Sequence, residues 1–470
     1  MQIKYIIVII LFFYLKLSVA QNKVEKLQQF LSFKEYLGYV KKHHPIIKQA
    51  NLQLSIGEAN LLKSRGGFDP KIEIDYDRKK FKNTEYFNQL NTTFKIPTWY
   101  GIEFKVNYEE NSGVYLNPNL TVPNGGLYSA GVSFSLAQGL LINERMAMLK
   151  KAKIFIKQSK AKRELLVNNL IFDASVAYFK WLEAHKELAI YKRFLSNAQI
   201  RYNGVKRNVE VGEKAAIDSI EAKITLQNRK LNLEVAKLKT RKAILKASNY
   251  LWLSNVPLEI QEYVYPLLPN DQVLSTSLVL EETISQKELL VNHPKLKGLE
   301  AKIARLSVDR SLKRNKLLPK LDLQYNFLAS DIGQFNNFKS MNYKGFVNFS
   351  FPLFLRKERG ALKLTNLKLQ EASFQLTSNS LSIQNKINAI KAEINSLGRQ
   401  NNLIKRIVSD YKIMFNAEER KFQLGESSLF LINSREQKLI TSELKANILE
   451  IKSLNSRAKL YKAFGLSNLN

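Results

Sequence analysis

The stretch HHPIIKQANLQL at residues 43–54 returns in altered form as NHPKLKGLEAKI at residues 292–303, with the two copies 249 residues apart. The same interval separates a second matched pair, PKIEIDYD at residues 70–77 and PKLDLQYN at residues 319–326. A pattern that recurs at about half the length of the chain, with its internal spacing kept, predicts a duplicated structure. Each half should then supply the same elements in the same order.

The composition limits what each half can be. The chain has 470 residues, of which 45% are hydrophobic, so it can form two or three domains and is not disordered. The first 20 residues, MQIKYIIVIILFFYLKLSVA, join Lys4 to an apolar run and then to small residues, as a cleaved signal peptide does; a retained anchor is the alternative. No later stretch approaches the ~20 apolar residues of a spanning helix. We therefore expect an exported protein and not a helical inner-membrane one.

Cysteine content and charge exclude several classes of site. The chain has no cysteine, which removes disulfides, thiolate metal sites, cysteine nucleophiles and lipid attachment through cysteine. The net charge of +32 suggests a polyanion partner, but the basic residues are spread along the chain and interleaved with acidic ones. The basic and aromatic patches of nucleic-acid-binding modules are missing. We predict no nucleic-acid partner and expect the charge to lie on solvated helix faces; a surface that favours anionic lipid headgroups or lipopolysaccharide is the alternative.

Two regions without proline predict long helices. Proline, which breaks helix interiors, does not occur at residues 124–256 or 353–470. Apolar residues in both regions recur at intervals of three and four, and a single helix through either would be roughly 100 Å long at ~1.5 Å per residue. Each pattern breaks at a glycine, Gly212 or Gly425, and then resumes. This predicts two long helical hairpins with their tips at these glycines.

The segments before these helices alternate between apolar and polar residues. Ile72, Ile74 and Tyr76 alternate with charged residues, and the same period of two recurs at residues 102–109, 128–136, 321–327 and 347–351. This period predicts strands with one apolar face, of a length that suits the ~9–11 residues of a transmembrane strand. Since open edges are not tolerated in a bilayer and five or six strands are too few for a barrel, we expect a barrel shared between chains. A soluble antiparallel sheet is the alternative.

Together these features resemble the TolC family of outer-membrane efflux proteins. The resemblance runs from LSFKEYLGYVKKHHPIIKQA, which begins at Leu31, to YKAFGLS at the end of the chain. It includes ASVAYFKWLEAHKELAI at residues 174–190 and the strand-to-helix passages VSFSLAQGLLINERMAMLKKA at residues 132–152 and VNFSFPLFLRKERGALKLTNLK at residues 347–368. No single motif is decisive, but their order, duplication and spacing are specific.

The resemblance implies a mainly α-helical protein with membrane β-strands. Members are homotrimers in which each chain supplies two copies of a strand hairpin and a long helical hairpin. These copies form a trimeric channel with a β-barrel in the outer membrane and an α-helical tunnel across the periplasm. The expected segments are a signal peptide at 1–20; a first repeat at 21–252, with strands at about 70–138 and a helical hairpin at about 143–252 with its tip near 212; a linker at 253–280; and a second repeat at 281–470, with strands at about 319–354 and a helical hairpin at about 357–463 with its tip near 425.

One departure from the family pattern concerns the strands. The first repeat has about 34 more residues between its proline and its long helix than the second, and much of the excess alternates on either side of a predicted turn at Thr98–Trp99. We predict an added strand pair, hence six strands per chain where the family usually has four, and an eighteen-stranded barrel in a trimer. A large extracellular lid is the competing interpretation.

Three groups of residues are candidates for function. Asp218 and Glu221 lie six and nine residues after Gly212, on one helix face, where the resemblance implies an acidic pore constriction; they could equally be solvated surface acids. The second repeat has Leu431 and Ser434 at these offsets. The resemblance also implies adaptor contacts at the two tips, and the aromatic pair at a strand end suits a membrane interface, although ordinary packing also explains it. The tip candidates are Val211, Gly212, Glu213, Leu424, Gly425 and Glu426, and the interface candidates are Trp99 and Tyr100.

No catalytic motif or phosphate-binding loop occurs, so we predict neither an enzyme nor a cofactor. His43 and His44 could form a metal pair, but matched positions before the repeated prolines favour a structural role, and we predict no metal site. The predicted function is a passive exit channel for small molecules or secreted polypeptide, with a periplasmic adaptor (membrane fusion) protein, an inner-membrane transporter and outer-membrane lipid as partners. A secreted soluble coiled-coil protein and an exported polyanion binder are the alternatives.

Overall fold

The computed structural model describes residues 29–278, 286–336 and 341–466 of the chain. The signal peptide predicted at residues 1–20 lies outside the described residues. Within them, no helix is both long enough and apolar enough to cross a membrane.

Long helices and an antiparallel sheet make up the described structure, which confirms a mainly helical fold with strands. The helices are α1 Phe33–His43, α2 Pro45–Arg65, α3 Glu144–Glu210, α4 Ala216–Ser248, α5 Asp271–Leu278, α6 Gln286–Asn292, α7 Pro294–Asn315, α8 Arg356–Gln423 and α9 Leu429–Phe464. The strands are β1 Gln29–Leu31, β2 Lys71–Phe81, β3 Thr84–Pro97, β4 Ile102–Ser112, β5 Leu127–Ser135, β6 Trp252–Leu253, β7 Val256–Pro257, β8 Val264–Pro266, β9 Lys320–Ala329 and β10 Tyr343–Ser350.

Two helical hairpins give the molecule its length. Helices α3 and α4 form the first hairpin and α8 and α9 the second, with 67 residues in α3 and 68 in α8. At ~1.5 Å per residue, each of the two longer helices extends roughly 100 Å. The hairpins lie side by side because α3 packs against α9 as well as against α4. Small and apolar residues at intervals of three and four, such as Ala174, Ala177 and Trp181, form the buried face of α3.

The largest buried cluster lies where α1, α3, α4 and α9 meet. Phe33 and Tyr36 of α1 pack against Tyr178 of α3, with ring centroids 5.3 and 5.2 Å apart. Trp181 is fully buried beside them, its ring centroid 5.7 Å from that of Tyr178, and Tyr461 of α9 joins the same cluster. This aromatic cluster holds both hairpins and the N-terminal helix at one level of the molecule.

Residues 253–278, the described part of the predicted linker, fold against this cluster. Strand β8 pairs in parallel with β1, and α5 packs on α1. The hydroxyl oxygen of Tyr178 lies 2.8 Å from the carbonyl oxygens of both Leu31 and Leu267 and accepts the N–H of Leu267 at 3.0 Å. The segment is therefore fastened to the helices and to the N-terminal strand.

The repeated His-Pro pairs begin two equivalent helices, α2 and α7. In each, the proline is the first helical residue, and the ring Nδ1 of the preceding histidine, His44 or His293, accepts a backbone N–H at 3.1 Å. Each ring also hydrogen-bonds the backbone at the end of the returning helix, at Asn249 or Ala463. Both histidines are buried, and burial lowers the pKa of each, that of His293 to about 4. The motif thus joins the helix before each strand group to the end of a long hairpin.

The main sheet contains six strands in the order β10-β9-β5-β4-β3-β2, and all neighbours are antiparallel. Four strands come from the first half of the chain and two from the second. The additional residues of the first half form β3 and β4, joined by a turn at residues 98–101, in agreement with the predicted strand pair. At the opposite end of β3, a two-residue turn at Lys82 and Asn83, both with positive φ, joins β2 to β3.

Candidate channel wall and hairpin tips

One face of the six-stranded sheet is apolar from edge to edge. The register places Ile72, Phe94, Val106, Ala130 and Phe327 directly opposite one another on successive strands. The parallel rows above and below continue this pattern with aromatic and aliphatic side chains, many of them exposed. Because many of these side chains are exposed among the described residues, this apolar surface is left to an apolar environment.

The opposite face is polar and bridged by charges. Lys95 of β3 pairs with Glu73 of β2, and Lys344 of β10 pairs with Glu109 of β4 at 3.5 Å. Near the helix end, Arg145 at the start of α3 pairs with Glu103 of β4 at 2.6 Å. Between these charged pairs, the face carries amide and hydroxyl side chains. An apolar outer face and a polar inner face are the two surfaces of a membrane barrel with a water-filled interior.

The two edges of this sheet have no pairing strand within the described residues. Strands β2 and β10 lie at the edges, and every residue of β2 is exposed. Because the sheet has six strands and all neighbours are antiparallel, the two edge strands, β2 and β10, run in opposite directions. The edge of one copy can therefore pair with the opposite edge of another copy and continue the antiparallel order.

The predicted interface aromatics lie in the turn between β3 and β4, at the helix end of the sheet. The ring of Trp99 stacks on Phe68, with centroids 5.6 Å apart, and Lys150 of α3 places its Nζ 5.9 Å from the centre of the Trp99 ring. Tyr100 is exposed. Trp99 is thus packed into the junction of sheet and helices, whereas Tyr100 is free to contact a surrounding membrane, and their role as an interfacial pair stays a prediction.

Both hairpin tips have the same backbone geometry. Gly212 and Gly425 have φ values of +82° and +80°, a conformation that side chains with a Cβ rarely adopt. After each glycine, the next N–H returns to a carbonyl of the long helix: Glu213 to Asn208 at 2.8 Å and Glu426 to Lys421 at 2.9 Å. This is the Schellman ending of a helix, and it turns the chain sharply into the returning helix.

The tips expose apolar side chains. Val211 and Leu424, which directly precede the two glycines, are 63% and 74% exposed, and Ile217 and Phe430 in the returning helices are similarly open. Lys214 of the first tip places its Nζ 4.4 Å from the ring centre of Phe422 in the second, so the two tips are neighbours. Together the two tips present one exposed apolar surface with Glu213 and Glu426 at its rim.

The predicted constriction residues lie just behind the first tip. Asp218 is in the first turn of α4 and Glu221 one turn later, and both are half-buried. Glu221 accepts a hydrogen bond from Nδ2 of Asn433 on α9 at 3.3 Å, so its carboxylate faces the second hairpin of the same chain. The two acids thus stand at the level of the tips, but Glu221 also takes part in the contact between hairpins.

A buried charge cluster that sequence reasoning missed lies beyond Glu221. Glu436 of α9 is fully buried and accepts from Nη2 of Arg201 on α3 at 3.0 Å and from Nη2 of Arg229 on α4 at 3.2 Å. Side-chain amides complete the cluster: Asn433 accepts from Arg201 at 3.1 Å and Gln437 from Arg229 at 2.8 Å. This Arg-Glu-Arg cluster joins three helices from both hairpins. The sequence held one signal of it, since Glu436 interrupts an otherwise apolar stripe of α9.

The histidine pair considered for a metal is separated by its local structure. His44 caps α2, whereas His43 ends α1 with its ring 6.3 Å from that of Tyr39. Within residues 29–278, 286–336 and 341–466, no three His, Cys, Asp or Glu side chains are grouped as a metal site would require.

Comparison with known proteins identifies this architecture. Residues 286–466 match the model of a family described as outer membrane efflux protein. This match places an outer membrane efflux protein domain in the second half of the chain. The resemblance drawn from the repeats is thereby confirmed, and the family is one of efflux channels and not of enzymes.

Curated members of the family resemble the chain over most of its length. The pyoverdine export outer membrane protein OpmQ of Pseudomonas aeruginosa is 21% identical over 351 residues, which cover 72% of this chain and 70% of that protein. The toluene efflux pump outer membrane protein TtgI of Pseudomonas putida is 21% identical over 303 residues, covering 63% and 62% of the two chains.

Solved channels have the same fold. The CmeC outer membrane channel of Campylobacter jejuni matches with a TM-score of 0.66 and 16% identity over 92% of this chain and 85% of its own. The open state of the MtrE outer membrane channel of Neisseria gonorrhoeae matches with a TM-score of 0.65 and 15% identity, over 92% and 88%. At this identity the likeness establishes the fold of this efflux protein, whereas its cargo and partners have to be inferred from its own residues.

Proposed function

We propose that this efflux protein is a passive exit channel of the outer membrane, with a helical extension into the periplasm. The observation that carries the proposal is the sheet, which has one continuous apolar face, one polar face with bridged charges, and two unpaired edges. Only a closed sheet satisfies its backbone amides in hydrocarbon. The apolar face would contact lipid and the polar face would line the aqueous path.

A homotrimer supports closure of this barrel. Three copies of a six-stranded sheet, joined β2 to β10, give an eighteen-stranded barrel in which every neighbour is antiparallel. The same assembly would place the flank of α4 in one copy against the flank of α8 in the next. Both flanks carry exposed aliphatic residues along their length, such as Leu231 and Leu238 in α4 and Leu367 and Leu381 in α8. Their burial between copies would complete a helical tunnel.

The tips support the proposed partners. A passive channel needs an energised inner-membrane transporter, and the neighbouring apolar tips around Val211 and Leu424 offer a docking surface for a periplasmic adaptor. We propose small molecules or secreted polypeptide as cargo. Selection between them would rest largely with the transporter, because the mixed charges of the polar sheet face favour neither anions nor cations.

The constriction proposal concerns Asp218 and Glu221. In a trimer three copies of each acid would stand at the level of the tips, where a ring of carboxylates attracts cations. Replacing both acids by alanine should lower the cation preference of the open channel. Leu431→Ala with Ser434→Ala is the matched control, because these residues hold the equivalent offsets in the second repeat. Unchanged selectivity in the acid variant would remove the ring from the proposal.

The deciding experiment is conductance of the purified protein in a planar lipid bilayer. Discrete, long-lived steps are expected, and their size should be small if the resting tips are closed. A protein that remains soluble without detergent and never inserts would refute the channel. The alternating strands would then form a water-facing sheet, and a soluble coiled-coil protein would be the better description.

A further inference from the structure

The outward end of the edge strand β2 carries an unusual concentration of positive charge. This end lies away from the helices, because β2 follows α2 and starts beside the turn at residues 98–101. Within five positions stand Arg78, Lys79, Lys80 and Lys82. The neighbouring outward connection between β4 and β5, residues 113–126, has no charged residue at all. The positive charge is therefore concentrated in the β2–β3 hairpin and is not shared by this neighbouring connection.

Three of these cations have no carboxylate partner in the part of the chain that the structure describes. Arg78 pairs with Glu85 across the hairpin at 2.7 Å. Among the described residues, none of the three lysines has an ion pair; the Nζ of Lys79 lies instead 4.8 Å from the ring centre of Tyr86, and that of Lys82 5.5 Å from the ring centre of Phe81. Lysines held over aromatic faces keep their charge exposed and available to an external anion.

An aromatic shelf supports these lysines. The rings of Phe81, Tyr86 and Tyr115 form a continuous row, with centroid distances of 6.3 and 4.7 Å. The backbone fixes this row, since the N–H of Tyr115 donates to the carbonyl of Tyr86 at 2.9 Å and that of Val114 to the carbonyl of Glu85 at 3.1 Å. We name the three lysines with these three rings the basic–aromatic rim.

The height of the rim fits the boundary of a membrane. Lys80 follows Ile72 by eight residues on the same strand, which corresponds to roughly 20 Å along a barrel axis at ~3.3 Å per residue and a tilt of ~40°. The apolar band of a membrane barrel is about 25 Å tall and ends in aromatic side chains. The rim therefore lies directly above the apolar face, where an outer leaflet places its headgroups.

We infer that the basic–aromatic rim binds the phosphate groups of a glycolipid in the outer leaflet. Lysine ammonium groups bind phosphate as point charges, while the rings and the apolar face below accommodate sugar and acyl chains. The inference rests on the proposed membrane placement, and it assigns a lipid-binding site to one hairpin of each chain. In a trimer the three sites would lie beside the seams where β2 meets the neighbouring copy.

The test is binding of fluorescent lipid A, a phosphorylated glycolipid, to the purified protein in neutral detergent micelles. The variant Lys79→Gln with Lys80→Gln and Lys82→Gln should bind at least about tenfold more weakly, since each basic residue near an anionic surface contributes about fivefold. Wild-type protein should show the same loss towards lipid A whose phosphates have been removed. Lys230→Gln with Lys242→Gln and Lys246→Gln is the control; it removes equal charge from exposed positions of α4 and should leave binding within about twofold.

Three results would overturn the inference: equal affinity of the rim variant and wild type for lipid A, an equal loss of affinity in the control variant, or equal affinity of wild type for lipid A with and without its phosphates. Inorganic phosphate is added as a competitor to distinguish a site for free phosphate from a site for lipid. Displacement of lipid A by a low concentration of phosphate would indicate a site for the free anion. Conductance of the rim variant is measured in parallel. Normal channel steps with unchanged lipid binding would refute the rim alone, whereas a wild-type protein without steps would refute the channel itself.

Discussion

The two halves of the chain differ in their strands and agree in their helices. The first half supplies four strands to the sheet and the second only two. The long helices have 67 and 68 residues, and both tips end in a glycine of the same φ and the same hydrogen-bond pattern. A barrel accepts further strand pairs because its diameter grows with strand number. The two long helices cannot differ in this way, because the two hairpin tips lie side by side. The lengths of α3 and α8 therefore match.

The largest expected effect comes from breaking the contact between the halves. Glu436→Leu leaves Arg201 and Arg229 buried without a carboxylate, and we expect a loss of about 3–5 kcal/mol in unfolding free energy. Thermal unfolding in detergent, followed by helical circular dichroism, measures it. The triple variant Arg201→Met, Glu436→Leu and Arg229→Met is the control and should recover most of the loss. If Glu436→Leu alone is neutral, the two hairpins are held together by apolar contacts and not by this cluster.

The next effect tests whether the extra strands of the first half are membrane strands like those of the second. Val106→Arg in β4 and Phe349→Arg in β10 both place a charge on the apolar face, and each should lower stability by up to about 2–4 kcal/mol, the cost of a charge at the bilayer midplane. Asn107→Arg, on the polar face of β4, should cost little. The yield of assembled, heat-resistant protein from outer membranes measures all three. A tolerated Val106→Arg beside a damaging Phe349→Arg would place β3 and β4 outside the membrane.

A smaller effect should distinguish the two capping histidines by pH. Burial holds the pKa of His293 at about 4, below the ordinary value of 6.5, with Lys295 and Lys386 lowering it further. The folded protein then binds a proton less readily than the unfolded chain, so stability is complete above pH 6.5 and falls as the pH drops towards 4. The loss should be on the order of 2–3 kcal/mol.

His293→Asn keeps a capping side chain without a titrating ring, so its stability should depend less on pH over this range than that of wild type. Melting temperatures recorded between neutral and acidic pH provide the measurement. His44→Asn is the matched variant and should change the pH dependence less, because the pKa of His44 is lowered to a lesser extent. Identical pH profiles for wild type and both variants would contradict a lowered histidine pKa in the folded protein.

The smallest effect concerns the capping residue directly before each returning helix. Ser428 caps α9 by accepting the N–H of Leu431 at 3.3 Å, whereas Ala215 at the equivalent place before α4 has no side chain to do so. Ser428→Ala should therefore lower stability by about 1 kcal/mol, and Ala215→Ser should raise it by about as much. Hydrogen exchange at the tips detects changes of this size locally. Hydrogen exchange at the tips that is the same in wild type and both variants would show that contacts other than the caps stabilise the tips.

Much of the fold could be predicted because its signals are local. Proline-free stretches, a period of three to four and the glycines at the tips indicate helical hairpins, and a period of two indicates the strands. The environment of Glu221 could not be predicted in this way, because its partner Asn433 lies on another hairpin. The Arg-Glu-Arg cluster was missed for the same reason: each residue alone is an ordinary charge on a helix, and only packing shows that Glu436 is surrounded by two arginines.

The unpaired edges of the sheet also constrain how copies of the chain assemble. When β2 of one copy pairs with β10 of the next, every contact is head to tail and leaves one edge of each kind free until the ring closes. A ring of three and an open ribbon use the same contact, and only the angle between neighbouring copies decides between them. Errors in that angle would extend the ribbon instead of ending it, particularly at high local chain concentration. Delivery of few chains at a time to the membrane would thus limit the growth of ribbons through unpaired edge strands.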